Sequence, residues 1–251
     1  MTPEEELLKK RLLELSRKSE GGYYLFSDFL GLSEQSVFAE IKNAIPKGSF
    51  TLFGGADGCE RIMVRFGNPE ELGYVEDFPI RIVKIEPKSK KFAEILTHRD
   101  FLGSILNLGI ERKTLGDIVI IDNVGYIFAK DEVASYIADS IETVRRTDVK
   151  AQIITELPEG ELFKLSRIKI QLSGERLDAV ISKVYSISRD DSLSLFKKRL
   201  VFVSGRLLEN NSYTPKTDDV ISVRGYGRFI YRGVSSLSKK GKLNADIDVY
   251  V

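Results

Sequence analysis

The sequence predicts an α+β protein in three parts, on three observations. Apolar residues repeat at helical spacing over the first 45 residues, short β-rich runs alternate with helices from Gly48 to about Glu156, and the positive charge is gathered in the last third. With 251 residues and 42% hydrophobic content, the chain is long enough to bury roughly 70 to 75% of its unfolded surface.

In the first helix Leu8, Leu12 and Leu15 share a face, and Gly21-Gly22 ends it. In the second, Ser33 is the expected N-cap, Val37, Phe38, Ile41 and Ile45 repeat at helical spacing, and Pro46 with Gly48 stops the run. Residues 1–47 are therefore expected to form a helical segment. Beyond them, SFTLF, RIMVRF and IRIVKI read as strands, and THRDFLGSILNLGI reads as a helix with Thr97 and Asp100 at capping-box spacing. DIVIID and YIFAK suggest a hairpin about Asn123, Val124 and Gly125. A helix from Asp131 carries Ala134, Ile137, Ala138 and Ile141, and a strand runs through Val149, Gln152 and Ile154. This order predicts a ferredoxin-like α+β domain over residues 48–160. ELPEGE, from Glu156 to Glu161, is the expected linker, and FKLSRIKIQL alternates like a strand that either neighbour could claim.

Residues 161–251 form the third part. Leu177, Val180, Ile181 and Val184 make one helical face, and Ser188 caps a second helix on which Leu193, Phe196 and Leu200 are expected to stack. VFV and ISV follow as strands, so two helices and a small sheet share one core. The whole chain carries a formal charge of +1, but Arg176 to Lys242 alone carries +8 and residues 1 to 170 carry −4. The bases left outside the predicted core are Arg176, Lys183, Arg189, Lys197, Lys198, Arg199, Arg206, Lys216, Arg224 and Arg228. Lys and Arg so gathered neutralise phosphates and release condensed counterions, while helix amino termini and Gly225 and Gly227 allow backbone to approach the same anions. A phosphate-bearing polyanion is the expected partner.

Arg176-Leu177-Asp178, the Ser188-Arg189 helix start, Val201-x-Val203-Ser204-Gly205, Asp219-x-Ile221-x-Val223 and Gly225-x-Gly227-Arg228 resemble the S4 domain, a small RNA-binding module. Ser204 stands where many members have Asn. The resemblance implies RNA contact by Arg176, Ser188, Arg189, Lys197, Lys198, Arg199, Gly205 and Arg206, to which the charge reading adds Lys183, Lys216 and Arg228, and it makes Asp178 a capping or salt-bridge residue. Ser27-Asp28-Phe29-Leu30, Gly54-Gly55 with Glu60-Arg61, and the run from His98-Arg99-Asp100-Phe101-Leu102-Gly103 through Gly109-Ile110-x-Arg112 to Leu115-Gly116-Asp117-Ile118 are similar to the bacterial YlmH family. That resemblance spans nearly the whole chain. It implies a helical segment, a ferredoxin-like, RNA-recognition-like domain and a terminal S4 domain. It further implies binding to rRNA or tRNA on the large ribosomal subunit during translation quality control.

No catalytic constellation emerges. Arg176-Leu177-Asp178 also resembles the core motif of pseudouridine synthases, but Ala179-Val180-Ile181-Ser182 continues an amphipathic helix where that motif would turn to Thr-x-Gly-Leu. An RNA-modifying enzyme of that kind and a protein-interaction adaptor stand as the alternatives to a non-enzymatic RNA-binding protein. His98, the single histidine, has no nucleophile at motif spacing; with Arg99, Arg112 and Lys113 it marks either a second RNA or partner contact or a solvated helix end. Tyr126 and Phe128 face one side of a strand, as stacking aromatics would, though core packing is the default explanation. Gly54 to Gly58 matches neither phosphate-binding glycine pattern and reads as a turn, and Cys59 reads as a small buried residue. One Cys and one His cannot build a tetrahedral zinc site or an internal disulfide, so neither metal nor cofactor is expected. No apolar run approaches the ~20 residues that span a bilayer, and MTPEEELLKKRL mixes acids with bases. A cytoplasmic protein with no membrane or DNA partner is expected.

Overall fold

The Glu5 backbone N–H donates to the Thr2 hydroxyl at 3.2 Å and the Thr2 N–H donates to the Glu5 carboxylate at 2.8 Å, a reciprocal cap that starts helix α1 (Pro3–Ser19). The computed structural model describes residues 2–158, 162–238 and 241–250. The chain divides into two units, 1–162 and 163–251. Glu159 to Glu161, the second half of the expected linker and the expected boundary at 160/161, lie outside the described residues.

In the first unit, α1 is followed by strand β1 (Leu25–Phe26), helix α2 (Leu32–Ile41), β2 (Phe50–Phe53) and β3 (Met63–Phe66). The strands form an antiparallel sheet of order β1-β3-β2. Leu12, Phe38 and Ile41 from the helices pack with Val64 and Phe66 from β3. The boundary read at residue 47 thus runs through one apolar cluster, because two helices with one apolar face each need a layer to close on. Helix α2 begins two residues earlier than Ser33 suggested: Gly31 occupies the cap position and donates its N–H to the Glu34 carboxylate at 2.6 Å.

After the one-turn helix α3 (Pro69–Leu72), the unit continues with β4 (Ile80–Pro87), α4 (His98–Leu106), β5 (Leu115–Ile121), β6 (Val124–Lys130), α5 (Asp131–Ser140), β7 (Thr143–Val144) and β8 (Thr147–Ile154). The second sheet has the order β5-β6-β4-β8-β7, with every neighbouring pair antiparallel. Thr97 donates its N–H (2.8 Å) and hydroxyl (2.7 Å) to Asp100, which fixes the start of α4. The β5–β6 turn sits at Asp122 and Asn123 (φ 50° and 64°), one residue ahead of the expected centre at Asn123, Val124 and Gly125, because a two-residue hairpin needs positive φ and Asp and Asn tolerate it. One face of the sheet buries Val83, Ile85 and Ile127 under Phe101, Ile105, Ala134 and Ile137 of the two helices.

The opposite face is also closed. Tyr126 and Phe128 are buried. Gly55 (φ +103°) lies so close that a Cβ there would stand 2.4 Å from the Phe128 ring, and a Cβ on Gly116 would stand 2.8 Å from Phe29. The Gly54 to Gly58 turn is therefore a packing device that brings backbone onto an aromatic ring. Cys59 beside it is half-buried, more open than expected.

The second unit is built on a sheet of order β11-β10-β12-β13-β14-β9, from β9 (Leu165–Leu172), β10 (Val201–Val203), β11 (Arg206–Leu207), β12 (Val220–Val223), β13 (Gly227–Leu237) and β14 (Leu243–Tyr250). Helices α6 (Leu177–Val184) and α7 (Arg189–Lys197) cover one face, where Leu177, Val180 and Ile181 meet Val201, Val203, Ile221, Val223 and Phe229. The run FKLSRIKIQL pairs with β14 and so belongs to this unit. On α7 the buried residues are Ser192, Leu195 and Phe196; Leu193 lies half-buried on the flank, because Ser192, and not an apolar residue, faces α6. Strands β13 and β14, which no sequence pattern indicated, make the sheet far larger than the small one expected.

Candidate nucleic-acid interface

Asp178 is the organising group. It sits in the first turn of α6 with its side chain 0% exposed, yet its carboxylate accepts from Arg176 Nε at 3.0 Å, Arg176 Nη2 at 3.2 Å and Arg189 Nε at 3.3 Å. Its backbone carbonyl accepts from the Ser192 hydroxyl at 2.7 Å, which ties α6 to α7. A carboxylate this buried is stable only when paired and hydrogen-bonded. The consequence is geometric: two guanidinium groups, one from the residue that precedes α6 and one from the first residue of α7, stand side by side on one anion. Arg176 and Arg189 remain 44% and 62% exposed, so both present their outer edges to solvent.

Leu193 and Lys197 follow Arg189 at intervals of four residues and so line up on one flank of α7. Lys198 and Arg199 end the helix, both exposed. Arg199 adopts φ 58° and pairs with Glu209 at 3.7 Å. Ser204 and Gly205 (φ 48° and 76°) form the two-residue β10–β11 turn that presents Arg206, which is exposed.

The remaining predicted residues do not join this group. Lys183 is on α6 but about 140° round the helix from Asp178, given five residues at roughly 100° each. Lys216 is exposed in the β11–β12 loop, its N–H donating to Asp219 at 2.8 Å. Arg228 lies half-buried, its guanidinium 4.0 Å from the Tyr250 ring and 4.8 Å from the Phe163 ring. Arg224 stacks over Phe202 at 5.1 Å. Phe202 alternates with Val201 and Val203 and so points to the sheet face away from the helices.

Helix amino termini are not the anion sites that sequence reasoning suggested. The Leu177 N–H donates to the Tyr213 carbonyl at 2.8 Å, and that of Asp178 to the Asn211 carbonyl at 3.4 Å. At α7, the Ser188 hydroxyl accepts from the Asp191 N–H at 3.0 Å and donates to the Asp191 carboxylate at 2.6 Å, so it is a cap. The chain's own carbonyls and carboxylates occupy both ends.

Two features escaped the sequence reading. Tyr226, exposed at the β12–β13 turn, packs on Tyr185 (ring centroids 5.3 Å), which packs on Phe229 (5.9 Å), so a ring at the surface is braced from the core. Its setting, Gly225-Tyr226-Gly227, was legible as a turn that exposes an aromatic. On the sheet's outer face, buried Asp248 accepts from Arg167 at 2.7 and 2.9 Å and from Arg232 at 2.7 Å. Arg167 first, then Arg232, holds the Asp248 carboxyl well below its ordinary value, down to about 2. These arginines hold the sheet together and add little free charge.

In the first unit, Arg61 donates Nε to the Leu115 carbonyl at 2.9 Å and Nη2 to the Phe29 carbonyl at 3.0 Å, while Asp117 accepts from the N–H groups of Glu60 (2.7 Å) and Arg61 (2.9 Å). Arg112 donates Nη1 to the Leu115 and Gly116 carbonyls at 2.7 and 3.0 Å. Burial, and then the neighbouring Arg61, pull the Arg112 guanidinium down to about 10. Glu60-Arg61, Arg112 and Leu115 to Asp117 therefore form a lock that joins the β2–β3 loop to the start of β5. His98 begins α4 beside this lock, its ring partly open to solvent; desolvation by the surrounding chain and then the Arg112 charge lower its pKa. Arg99 is exposed, and Lys113 pairs with Glu111 at 2.6 Å. Among the described residues no group of three His, Cys, Asp or Glu is placed to hold a metal ion, and no helix is long and apolar enough to cross a membrane.

Residues 74–157, which hold β4 to β8, match the family described as a putative RNA-binding domain in YlmH. The chain is also 26% identical over 225 residues to ribosome-associated protein quality control protein P2 of Bacillus subtilis, an alignment covering 86% of this chain and 83% of that one. Over residues 74–157 the chain is thus similar to a domain of the YlmH family. Among solved structures, the cell division protein ylmH from Streptococcus pneumoniae is 20% identical, with a TM-score of 0.47 over 62% of this chain and 93% of its own. The matched segment contains Tyr126 and Phe128, but both rings are buried, so neither offers a platform for bases.

Proposed function

We propose that the chain is a non-catalytic RNA-binding protein that engages structured rRNA or tRNA on the ribosome, at the large subunit during translation quality control. The observation that carries the proposal is the Arg176 and Arg189 pair held on buried Asp178, with Lys197 on the same helix flank as Arg189. Such a pair meets phosphate oxygens with preset geometry, so affinity is electrostatic and discrimination is by RNA shape. The printed name of the Bacillus subtilis relative supports the ribosomal setting.

The helix pair, the Ser204-Gly205 turn and the sheet around β10 and β12 support reading residues 163–251 as an S4-type module. The β4-α4-β5-β6-α5-β8 order, with β4 between β6 and β8, supports a ferredoxin-like reading of residues 80–154. An aspartate nucleophile must reach a base, whereas the Asp178 carboxylate is enclosed and bonded to two arginines, which favours a positioning role over a pseudouridine synthase role. We place the protein in the cytoplasm, without metal, cofactor, membrane or DNA as partner.

Changing Lys197, Lys198 and Arg199 to Glu tests the proposal. Affinity for rRNA fragments should fall at least tenfold with folding intact; unchanged affinity rejects this face. Mass mapping of rRNA after incubation should show no new modification.

A further inference from the structure

Among the described residues, the most exposed apolar side chains lie in one loop. Between β4 and α4, Phe92 is 80% exposed and Ile95 86% exposed, beside Lys88, Lys90 and Lys91. A Phe and an Ile left in water contribute none of the burial that drives folding. The loop is nonetheless held firmly at its ends. The Lys88 N–H donates to the Asp148 carbonyl at 2.9 Å, that of Glu94 to the buried Thr147 hydroxyl at 3.2 Å, and that of Leu96 to Asn123 Oδ1 at 2.7 Å, while Asn123 Nδ2 donates back to the Glu94 carbonyl at 2.8 Å. Leu96 is buried in the core under α4. Fixed ends raise a tip that carries the lysines and Phe92, with the Lys91 ammonium 5.6 Å from the Phe92 ring.

A second basic turn lies against the first. Arg145 and Arg146, both exposed, form the β7–β8 turn, and Arg145 reaches Glu94 at 3.5 Å. These two loops hold five bases against Glu94, with Asp100 3.6 Å from Arg145 and Asp148 at the start of β8 beside them, within a unit, residues 1–162, that carries 21 bases and 28 acids. Positive charge concentrated on an acidic unit, together with an unburied aromatic ring, fits a polyanion that also offers planar faces. The matched domain has Tyr126 and Phe128 buried in its sheet, so contact with bases has to come from elsewhere in it.

We propose that the loop pair 88–96 and 145–146 is the RNA-contact site of the first unit, with the lysines and arginines on phosphates and Phe92 stacked on an unpaired base. This rests on the RNA-binding reading given above and adds a site that the second unit does not contain.

The test uses the full chain. The sequence has no tryptophan, so Phe92→Trp installs a single reporter at the loop tip. Titration with a hairpin RNA bearing a single-stranded loop should quench its emission with the same midpoint as a filter-binding isotherm. Phe92→Ala should weaken that RNA by about 5- to 160-fold, the range for one stacked base. Changing Lys88, Lys90 and Lys91 to Gln should reduce the log-log salt slope by about 2, at roughly 0.7 for each phosphate on single strands. All of these side chains are exposed, so unchanged far-UV circular dichroism and Tm certify the variants. Indole emission from Phe92→Trp that stays unquenched at saturating RNA, or unchanged affinity for Phe92→Ala, overturns the proposal while leaving the second-unit face standing. A blue shift with phosphatidylglycerol vesicles but none with RNA overturns it in favour of a membrane surface. Wild-type protein that binds no RNA at all sinks the general reading first.

Discussion

Replacing Arg176 and Arg189 together by Ala should lower RNA affinity by an amount that depends on salt in a defined way. Both guanidinium groups are anchored on Asp178 and more than two fifths exposed, so each is set to meet one phosphate. On single-stranded regions a neutralised phosphate contributes about −0.7 to the slope of log K against log salt. Two contacts therefore account for a slope change of about 1.4, which at about 0.1 M salt amounts to roughly 25-fold in affinity and shrinks to nearly nothing at about 1 M. Fluorescence anisotropy with a labelled rRNA hairpin, repeated at several salt concentrations, measures both quantities. The double variant also leaves Asp178 as an unpaired buried carboxylate, which costs about 3 to 5 kcal/mol, so Asp178→Asn is added to the same background to restore folding. A triple variant that folds but keeps the wild-type slope refutes the assignment of these arginines to phosphate.

The other outcomes are structural. Asp248 has a folded pKa depressed from 3.8 to about 2, so its pairing with Arg167 and Arg232 contributes stability above pH ~4 and loses it as pH falls towards 2. Asp248→Asn should cost about 1 to 2 kcal/mol at about pH 7, allowing for the exposed arginines, and that difference should vanish near pH 2 in chemical denaturation. Gly55→Ala combines a strained positive φ with a Cβ at 2.4 Å from Phe128; it should cost about 3 kcal/mol and lower the Tm of the first unit by about 6 to 12 °C in calorimetry. Ser188→Ala removes a helix cap, so it should lower stability by about 1 kcal/mol and leave RNA affinity unchanged when folded protein is compared, which separates a cap from a contact.

How much of this was legible in the sequence depended on whether the signal was local. Helical spacing gave α5 and α6 nearly to the residue and the start of α4, whose expected end at Ile110 falls four residues past the observed Leu106, because apolar faces and capping pairs such as Thr97 with Asp100 act within a few residues. Strands β13 and β14 went unseen, since GRFIYRGVSSL carries two glycines and a polar end, and its pairing with LNADIDVY shows only in the ladder. The sheet to which β2 and β3 belong was equally invisible, because pairing with Leu25 and Phe26 is a long-range fact. The charge count found the basic module but not its arrangement. Arg167 and Arg232 turn their charge to Asp248, Arg112 turns inward to carbonyls, and it is Asp178 that brings two of the expected arginines together. Lys88 to Ile95 drew no notice because a basic loop with one aromatic looks ordinary until its ring is seen uncovered.

The most direct measurement is a photo-crosslinking map of the full chain on rRNA and tRNA, read out by mass spectrometry of the crosslinked peptides. Adducts on peptides containing Arg176, Arg189 and Lys197 are the expected result. Adducts confined to the sheet face of Arg167, Arg232 and Asp248, with none on the helix pair, would contradict an RNA grip organised by Asp178.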